Sequence, residues 1–295
     1  MFITAKVQNS LGEVLDLMGS RDRFVVESIQ GLNPPPATLN MSNIYGMDGA
    51  RLNTRFLNTR NIVLTMRLRG DQEASRQELY RFLSSKNALR FFFQNNNRNV
   101  YIDGLVETTE DDMFVRTQNM QVSIICPDPY FRDVAETVVE LENSQSGFEF
   151  PFSINLGEPI EFGTYESGRE TVVLNPTQNE VPFEIEITAR KQLGSFTSFT
   201  IQNILTGEKI GFAGWPNDDG FMPGDVIRIN TDPYHPTMTL QVGQTVYNRI
   251  GQMIQGGGFF TIHPGENRFA YKTSPASDAD FLDINLKFRN MYSGV

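Results

Sequence analysis

The sequence is poor in the residues from which catalytic and metal sites are usually built. Its 295 residues include one cysteine, Cys126, and two histidines, His235 and His263. A single cysteine excludes an intrachain disulfide framework and a cysteine-rich zinc site. Each histidine precedes a proline, and neither has a second histidine three or four residues away, so both are predicted to lie in turns. We therefore expect no metal ion and no cofactor.

The short motifs of common enzyme classes are absent as well. The sequence contains no Walker loop, no dinucleotide-binding glycine fingerprint, no zinc-protease helix motif and no nucleophile elbow. The acidic pairs Asp218 with Asp219 and Asp278 with Asp280 resemble solvated turns more than the paired carboxylates of a glycosidase cleft. We predict that the chain is not an enzyme.

Long apolar runs are also missing. No stretch approaches the roughly 18 apolar residues that a membrane-spanning helix needs. Residues 1–6 show neither the apolar core nor the cleavage pattern of a secretory signal. This pattern predicts a protein that is assembled in a cytoplasm and does not insert into a membrane.

The charges that are present are unevenly distributed. The net charge is −10, yet residues 1–133 carry 15 basic and 15 acidic side chains, so the acidic excess lies in residues 134–295. Nine basic side chains lie between residues 51 and 90, and an acidic group follows at residues 103–112. Such a dipolar surface suits head-to-tail self-association, with a simple solvated face as the alternative. The acidic balance argues against a dedicated nucleic-acid-binding protein.

Alternating apolar residues predict that the first 133 residues are mostly β-strand, with one helix. Residues 72–85 have helical spacing, with Asp71 as the N-cap. Cys126 ends a strand on its apolar face, which predicts a buried, inert thiol. The predicted strands are residues 1–7, 23–29, 61–69, 88–94, 99–107 and 120–126.

The second half shows no helical period. Residues 134–158 are polar and rich in turn residues, which predicts a linker between two domains. The fold class is therefore mainly β, with a strand-rich N-terminal domain at residues 1–133 and a C-terminal antiparallel sandwich of jelly-roll type at residues 159–295. The predicted strands of the second domain are residues 171–174, 183–188, 199–205, 209–212, 225–230, 237–242, 259–262, 267–271 and 282–288.

The order of several short segments resembles the distal tail protein family of long, non-contractile-tailed bacteriophages. No single segment is specific, but the series in order is. In the first half the resemblance rests on residues 45–50, 61–94 and 126–130. In the second half the segments are Leu174-Asn175-Pro176, residues 182–185, Ile201-Gln202-Asn203 with Thr206-Gly207-Glu208, residues 224–231, residues 259–262 with 264–267, and residues 288–295.

The resemblance implies a structural role in a virion. Members of this family form a hexameric ring through a β-sandwich-like N-terminal domain with one α-helix, and carry a galectin-like C-terminal sandwich outside the ring. The ring is a hub between the tail tube protein and the tail-tip or baseplate protein. The tape measure protein is a further partner, and DNA passes through the lumen without specific binding. We therefore expect a homo-oligomer at the tail tip of the virion, assembled in the host cytoplasm.

Some members of the family carry an inserted arm that holds receptor-binding proteins. No stretch between the quoted segments of the second half is long enough for such an arm. The resemblance therefore does not extend to that role.

The charge pattern of the first half suggests how copies meet. Basic side chains of one copy are expected to face acidic side chains of the next. Exposed ion pairs contribute only about 0–1 kcal/mol each, so pairing of open strand edges and apolar burial must supply most of the stability of a ring. The predicted contact residues are Arg55, Arg67, Arg69, Asp103, Asp111 and Asp112.

A carbohydrate-binding adhesion module that contacts the host cell surface is the alternative function. Trp215, the only tryptophan, is followed by Asn217 and Asp218. An aromatic plate beside polar groups suits sugar hydroxyls, whereas a tryptophan packed on a loop explains the same residues without a ligand. Sequence alone leaves both interpretations open.

Overall fold

The structure, a computed structural model, describes residues 4–19, 22–85, 87–141, 144–146, 163–165, 170–194, 196–214 and 220–295. By its internal contacts the chain divides into two compact units. The first unit comprises Met1–Ala135 together with Met291–Val295, and the second comprises Glu136–Asn290. No helix within the described ranges has the length and apolar character required to cross a bilayer.

The elements of the first half alternate strand and turn around one helix. They are β1 (Thr4–Asn9), β2 (Val14–Asp16), β3 (Phe24–Gln30), β4 (Ala37–Asn43), β5 (Ala50–Leu57), β6 (Arg60–Leu68), α1 (Gln72–Phe82), β7 (Ala88–Gln94), β8 (Asn99–Asp111), β9 (Asn119–Cys126) and β10 (Phe131–Asp133).

The elements of the second half are strands and two short 3₁₀ helices. They are β11 (Thr137–Glu140), β12 (Ser144–Ser146), β13 (Gly163–Tyr165), β14 (Thr171–Asn175), β15 (Phe183–Ala189), β16 (Ser198–Asn203), β17 (Lys209–Ala213), β18 (Val226–Asn230), β19 (Thr237–Val242), β20 (Thr245–Asn248), a 3₁₀ helix (Ile250–Gln252), β21 (Gly265–Ser274), a second 3₁₀ helix (Ala276–Phe281), β22 (Leu282–Phe288) and β23 (Met291–Tyr292). Because α1 is the only α-helix in the described chain, the predicted fold class, mainly β with one helix, is confirmed.

The first unit is built on an antiparallel sheet with the strand order β2-β1-β7-β8-β9-β6-β3. The long strand β8 connects two parts of this sheet, because its first half pairs with β7 and β10 and its second half with β9. A β-bulge between Val106 and Thr108 interrupts the pairing with β9, and a bulge of this kind bends the strand.

The core of the first unit follows the alternation that the sequence predicted. Ile62, Leu64 and Met66 of β6 are fully buried. Helix α1 adds Leu79 and Phe82 to the same apolar cluster. Full burial of each side chain of this size stabilises the fold by roughly 1.5–3 kcal/mol.

The limits of the two units differ from the predicted domain limits at the end of the chain. Residues 291–295, which the prediction placed in the second domain, lie in the first unit, because β23 pairs with β10. The predicted linker, residues 134–158, contains β11, which pairs with β22 of the second unit.

The second unit contains two antiparallel sheets. Their orders are β11-β22-β15-β18-β19-β20 and β14-β21-β16-β17. Phe183 of β15 bridges them, since its ring centroid lies 5.7 Å from that of Phe269 on β21. Ile185 and Ile187 are buried beside Phe183, as predicted for a half-buried strand. The jelly-roll and galectin-like assignments stay predictions.

One predicted strand of the second unit is wrong. In residues 259–262 only Ile262 makes a bridge, to Val181. Phe260 uses its apolar side chain for packing instead, with its ring centroid 5.2 Å from that of Phe183. The side chain of Asn175 donates to the Ile262 carbonyl at 3.1 Å. Side-chain packing and an asparagine hydrogen bond thus replace the strand ladder here.

Candidate assembly surface

The β4–β5 hairpin forms a sheet of its own. In the described part of the chain its strands pair only with each other, from Ala37 opposite Leu57 to Asn43 opposite Ala50. Every residue of both strands is exposed except the half-buried Leu57. An isolated two-stranded hairpin is only marginally stable in water. This hairpin is therefore the first candidate for a surface that is completed by a partner.

Local sequence explains why the hairpin forms. The three prolines at residues 34–36 supply no backbone donors and keep the entry extended. The turn contains Gly46 at φ +78° and Gly49 at φ +89°, a left-handed conformation that glycine adopts without a steric penalty. The connection between the two strands spans residues 44–49, and it leaves Tyr45 fully exposed at the tip.

One face of the hairpin is apolar. Leu39 and Met41 share this face because successive alternate residues of a strand point the same way. A bulge next to Met41 brings Leu52 directly opposite it. The three side chains remain 52%, 56% and 48% exposed respectively. Leaving this much apolar surface in water is unfavourable by about 25 cal/mol per Å², so the face favours a partner that covers it.

The predicted basic contact residues fall into two groups. Arg67 forms an ion pair with Glu27 of the neighbouring strand β3, so its charge is already partnered. Arg55 lies on the apolar face of the hairpin, opposite Leu39, and Arg69 follows the end of β6. Neither of these two side chains has a hydrogen bond or ion pair with another described residue.

Asp103, the first predicted acidic contact residue, is partnered within the sheet. It accepts two hydrogen bonds from Arg90 across β7 and β8, at 2.6 and 2.9 Å. The hydrogen bond to Asp103 raises the pKa of Arg90, although burial opposes the shift. The Arg90 guanidinium also lies 4.3 Å from the ring centroid of Tyr101.

Of the other two predicted acidic side chains, that of Asp111 has partners among the described residues and that of Asp112 has none. Asp111 accepts a hydrogen bond from the Tyr80 hydroxyl at 2.5 Å, and its carboxylate lies 3.8 Å from Arg76 of α1. Burial raises the pKa of Tyr80, and the hydrogen bond to Asp111 adds to the shift. Asp112 is exposed, and no other described residue holds its carboxylate. Of the six predicted residues, Arg55, Arg69 and Asp112 are therefore the ones with uncommitted charge.

The loop between β8 and β9 presents an apolar tip that the sequence interpretation missed. Met113, Phe114 and Val115 are 49%, 98% and 50% exposed. The Gln118 side chain donates to the Met113 carbonyl at 3.1 Å, and this bond shapes the loop. The sequence does carry a signal for this tip, namely three consecutive apolar residues within a polar turn. Exposed apolar runs of this kind mark contact surfaces.

The predicted sugar contacts and one of the histidines complete the set of candidate residues. Trp215, Asn217 and Asp218, the predicted sugar contacts, lie outside the described residues. Nε2 of His263 lies 2.8 Å from the Glu208 carboxylate. Across the ranges that the structure describes, no three His, Cys, Asp or Glu side chains are grouped so that they could hold a metal ion.

Comparison with known families finds a match within the first unit. A family model described as the phage tail protein RIFT-related domain matches residues 15–126. These residues are thus similar to a phage tail domain. The matched residues, called the tail domain below, run from β2 to the end of β9 and include the β4–β5 hairpin, helix α1 and the β8–β9 tip.

Solved structures share the fold of the whole chain. The crystal structure of the Dit protein of phage SPP1, described as a paradigm of the hub adsorption apparatus in phages that infect Gram-positive bacteria, matches with a TM-score of 0.69 and 13% identity, over 98% of this chain and 99% of that chain. Two structures of the phage p2 baseplate in its activated conformation, with Sr and with Ca, match with TM-scores of 0.56 and 0.53 at 14% identity, over 99% of each chain. No curated protein matches the sequence significantly.

These comparisons confirm the resemblance that the sequence indicated. The tail domain carries it in the first unit, and at 13–14% identity the structural matches establish the fold of the whole chain. The sequence interpretation missed the two strands of the hairpin, although Ala37, Leu39 and Met41 alternate with polar residues in the pattern of a half-buried strand.

Proposed function

We propose that this protein is a structural hub of a phage tail, positioned between the tail tube and the tail tip or baseplate. The observation that carries the proposal is the unpaired hairpin inside the tail domain, with its apolar face exposed. The SPP1 Dit protein, described as part of a hub adsorption apparatus, has the same fold. The role is architectural and non-enzymatic, and it places the protein in the tail of the virion after assembly in the host cytoplasm.

Self-association into a closed ring is the form of assembly that fits the hairpin. Its apolar face and a different surface on the next copy would make a heterologous contact, and a repeated heterologous contact closes into a ring when the rotation permits. We propose a hexamer, with the tail tube protein and a baseplate or tail-tip protein on opposite sides and the tape measure protein and DNA in the lumen. Arg55 and Arg69 of one copy would face Asp112 of the next.

The first experiment measures the oligomer mass of the full chain by light scattering. Met41→Asp places a charge on the apolar face, and Val172→Asp is the matched control, because Val172 is exposed to the same 56% on a strand of the second unit. We expect a ring mass for the wild type and for Val172→Asp, and a monomer mass for Met41→Asp, since a buried unpaired charge opposes association. Equal masses for the two variants contradict the role of the hairpin.

A second experiment tests the location. Gold-labelled antibody against the chain is applied to intact virions and imaged by electron microscopy. Labels at the distal end of the tail support the hub role. Labels on the capsid, or along the full tail tube, contradict it.

A further inference from the structure

A buried arginine at the base of the hairpin is not used by the proposed contacts. Arg60, the first residue of β6, is 1% exposed. Its guanidinium donates hydrogen bonds to four backbone carbonyls. The acceptors are Pro129 at 2.8 Å, Gly31 at 2.5 Å, Asn33 at 2.6 Å and Ser293 at 2.5 Å. The same group lies 4.4 Å from the ring centroid of Phe131.

These bonds join the two chain segments that carry the hairpin. One segment enters through residues 31–36, and the other leaves through residues 58–59 into Arg60 itself. Gly31 adopts φ +84°, and a Cβ there would lie 2.0 Å from the Asn61 carbonyl oxygen, so the segments pass too close for any other residue. Pro36 accepts a backbone hydrogen bond from Asn58 at 3.0 Å. The base of the hairpin is therefore held by close backbone contacts, and two carbonyls of its entry segment, those of Gly31 and Asn33, also bind Arg60.

Residues 294 and 295 lie against this base. The Val295 amide donates to the Leu32 carbonyl at 3.2 Å. A Cβ on Gly294 would lie 3.2 Å from the same carbonyl oxygen and 3.1 Å from Cδ of Pro34. Arg98 donates to the Gly294 carbonyl at 2.5 Å. The segment is thus pressed against the entry to the hairpin.

Only arginine can make this set of contacts. It offers five N–H donors in a rigid planar fork, whereas lysine offers three donors at one point. The hydrogen-bond partners of Arg60 are carbonyls, with no carboxylate among them. Burial lowers the pKa of Arg60 from its ordinary value. Burying a charged guanidinium is unfavourable, and its acceptors lie on three separate chain segments. This combination indicates that Arg60 serves to position those segments.

We propose that Arg60 is a positioning residue for assembly: it fixes the direction of the β4–β5 hairpin by clamping the entry segment of the hairpin to residues 291–295. The inference rests on the proposed role of the hairpin in self-association. It adds that the hairpin direction is set within each copy, before any neighbour is bound. Residues distant in the sequence thereby control the surface that a neighbour meets.

The test measures the direction of the hairpin in the full-length chain. Spin labels are attached to cysteines introduced by Tyr45→Cys at the tip and Arg81→Cys on the exposed side of α1. The distribution of distances between the two labels is recorded by pulsed electron paramagnetic resonance, at a concentration where the chain is monomeric. We expect Arg60→Lys to widen the distribution about twofold or more, with protected amides in β6 and β9 showing that the core stays folded. Arg90→Lys is the matched control, because Arg90 also stacks on an aromatic ring, at 4.3 Å, but on β7.

A second variant covers the case in which Arg60→Lys unfolds the unit. Gly294→Val pushes against Pro34 and Leu32 without touching the guanidinium, and it is expected to widen the same distribution. A narrow distribution in either folded variant overturns the proposal. Loss of the whole fold in both variants also overturns it, because Arg60 would then be a general core residue. Because the measurement is made on monomers, its outcome does not depend on ring formation. The Arg60 proposal and the proposal of self-association can therefore fail independently of each other.

Discussion

At the scale of single residues, burial sets the reactivity of the one cysteine. Cys126 is fully buried at the end of β9, and burial raises the pKa of its thiol to about 12. Since the thiolate is the reactive form, we expect iodoacetamide at about pH 8.5 to label Cys126 only after the chain is unfolded in denaturant. Gln121→Cys, on an exposed position of the same strand, is the positive control. Labelling of native Cys126 at the rate of the control contradicts the buried environment.

The Glu208 carboxylate makes the second unit sensitive to acid. Burial opposes its ionisation, but hydrogen bonds with His263 and with the Thr206 hydroxyl outweigh this and lower its pKa. A folded pKa below the unfolded value of 4.5 means that this stabilisation is full above pH 4.5 and is lost as the pH falls through the folded pKa.

The Thr206 hydroxyl gives a direct test of that sign. We expect Thr206→Val to be less stable than the wild type at about pH 6, with the difference shrinking towards about pH 3 as Glu208 becomes protonated. Urea unfolding at several pH values measures it. Thr197→Val is the control, because the Thr197 hydroxyl donates to a carbonyl, which does not titrate. A difference that stays constant with pH contradicts the assignment.

From the sequence, the environment of a single residue could be predicted only where the alternation of a strand determines it. The burial of Cys126 followed from the alternation of β9 and is confirmed. The partners of Arg67 and Asp103 did not follow, because Glu27 and Arg90 lie on strands whose antiparallel register the sequence does not reveal. A charged residue looks uncommitted in a sequence until the strand beside it is known.

At the scale of elements, helix α1 begins where its capping residue predicts. The Asp71 side chain accepts a hydrogen bond from the Ala74 amide at 3.2 Å. We expect Asp71→Ala to lower the free energy of unfolding of the first unit by about 1 kcal/mol, within a range of about 0.5–2 kcal/mol. Asp71→Asn keeps the acceptor and should retain most of the stability. Equal losses in both variants, measured by urea unfolding, would assign the effect to something other than the cap.

Elements were predictable where one face is buried and less so elsewhere. β6, β7 and β9 alternate because one side faces the core, and all three were found from the sequence. The strands β4 and β5 were missed, and in the structure their residues are exposed except for the half-buried Leu57. Residues 259–262 show the reverse error, because their apolar side chains pack without forming a strand.

At the scale of the whole molecule, the division into units depends on pairing that local patterns do not contain. Composition located the change near residue 134, where the charge balance shifts. The pairing of β23 with β10 joins residues more than 150 positions apart. No turn residue or charge pattern near either strand predicts this pairing. The pairing also brings residues 291–295 to the base of the hairpin, so it bears on assembly as well as on the fold.

The relative weight of apolar burial and charge in self-association can be decided by salt. Each exposed ion pair contributes about 0–1 kcal/mol, and about 1.4 kcal/mol corresponds to a tenfold change in an association constant. Two such pairs at each contact contribute about 0–2 kcal/mol, so we expect the association constant to change by at most about thirtyfold between roughly 0.05 and 0.5 M NaCl, and Arg55→Glu to shift it by a similar amount. Met41→Asp should abolish association at both salt concentrations, since it disrupts the apolar face. Analytical ultracentrifugation measures all three.

Two outcomes would show that charge stabilises the contact more than the apolar face does: a ring that dissociates in 0.5 M NaCl, or a ring that Arg55→Glu destroys as completely as Met41→Asp. In either case the uncommitted charges of Arg55, Arg69 and Asp112 would contribute more than the apolar face.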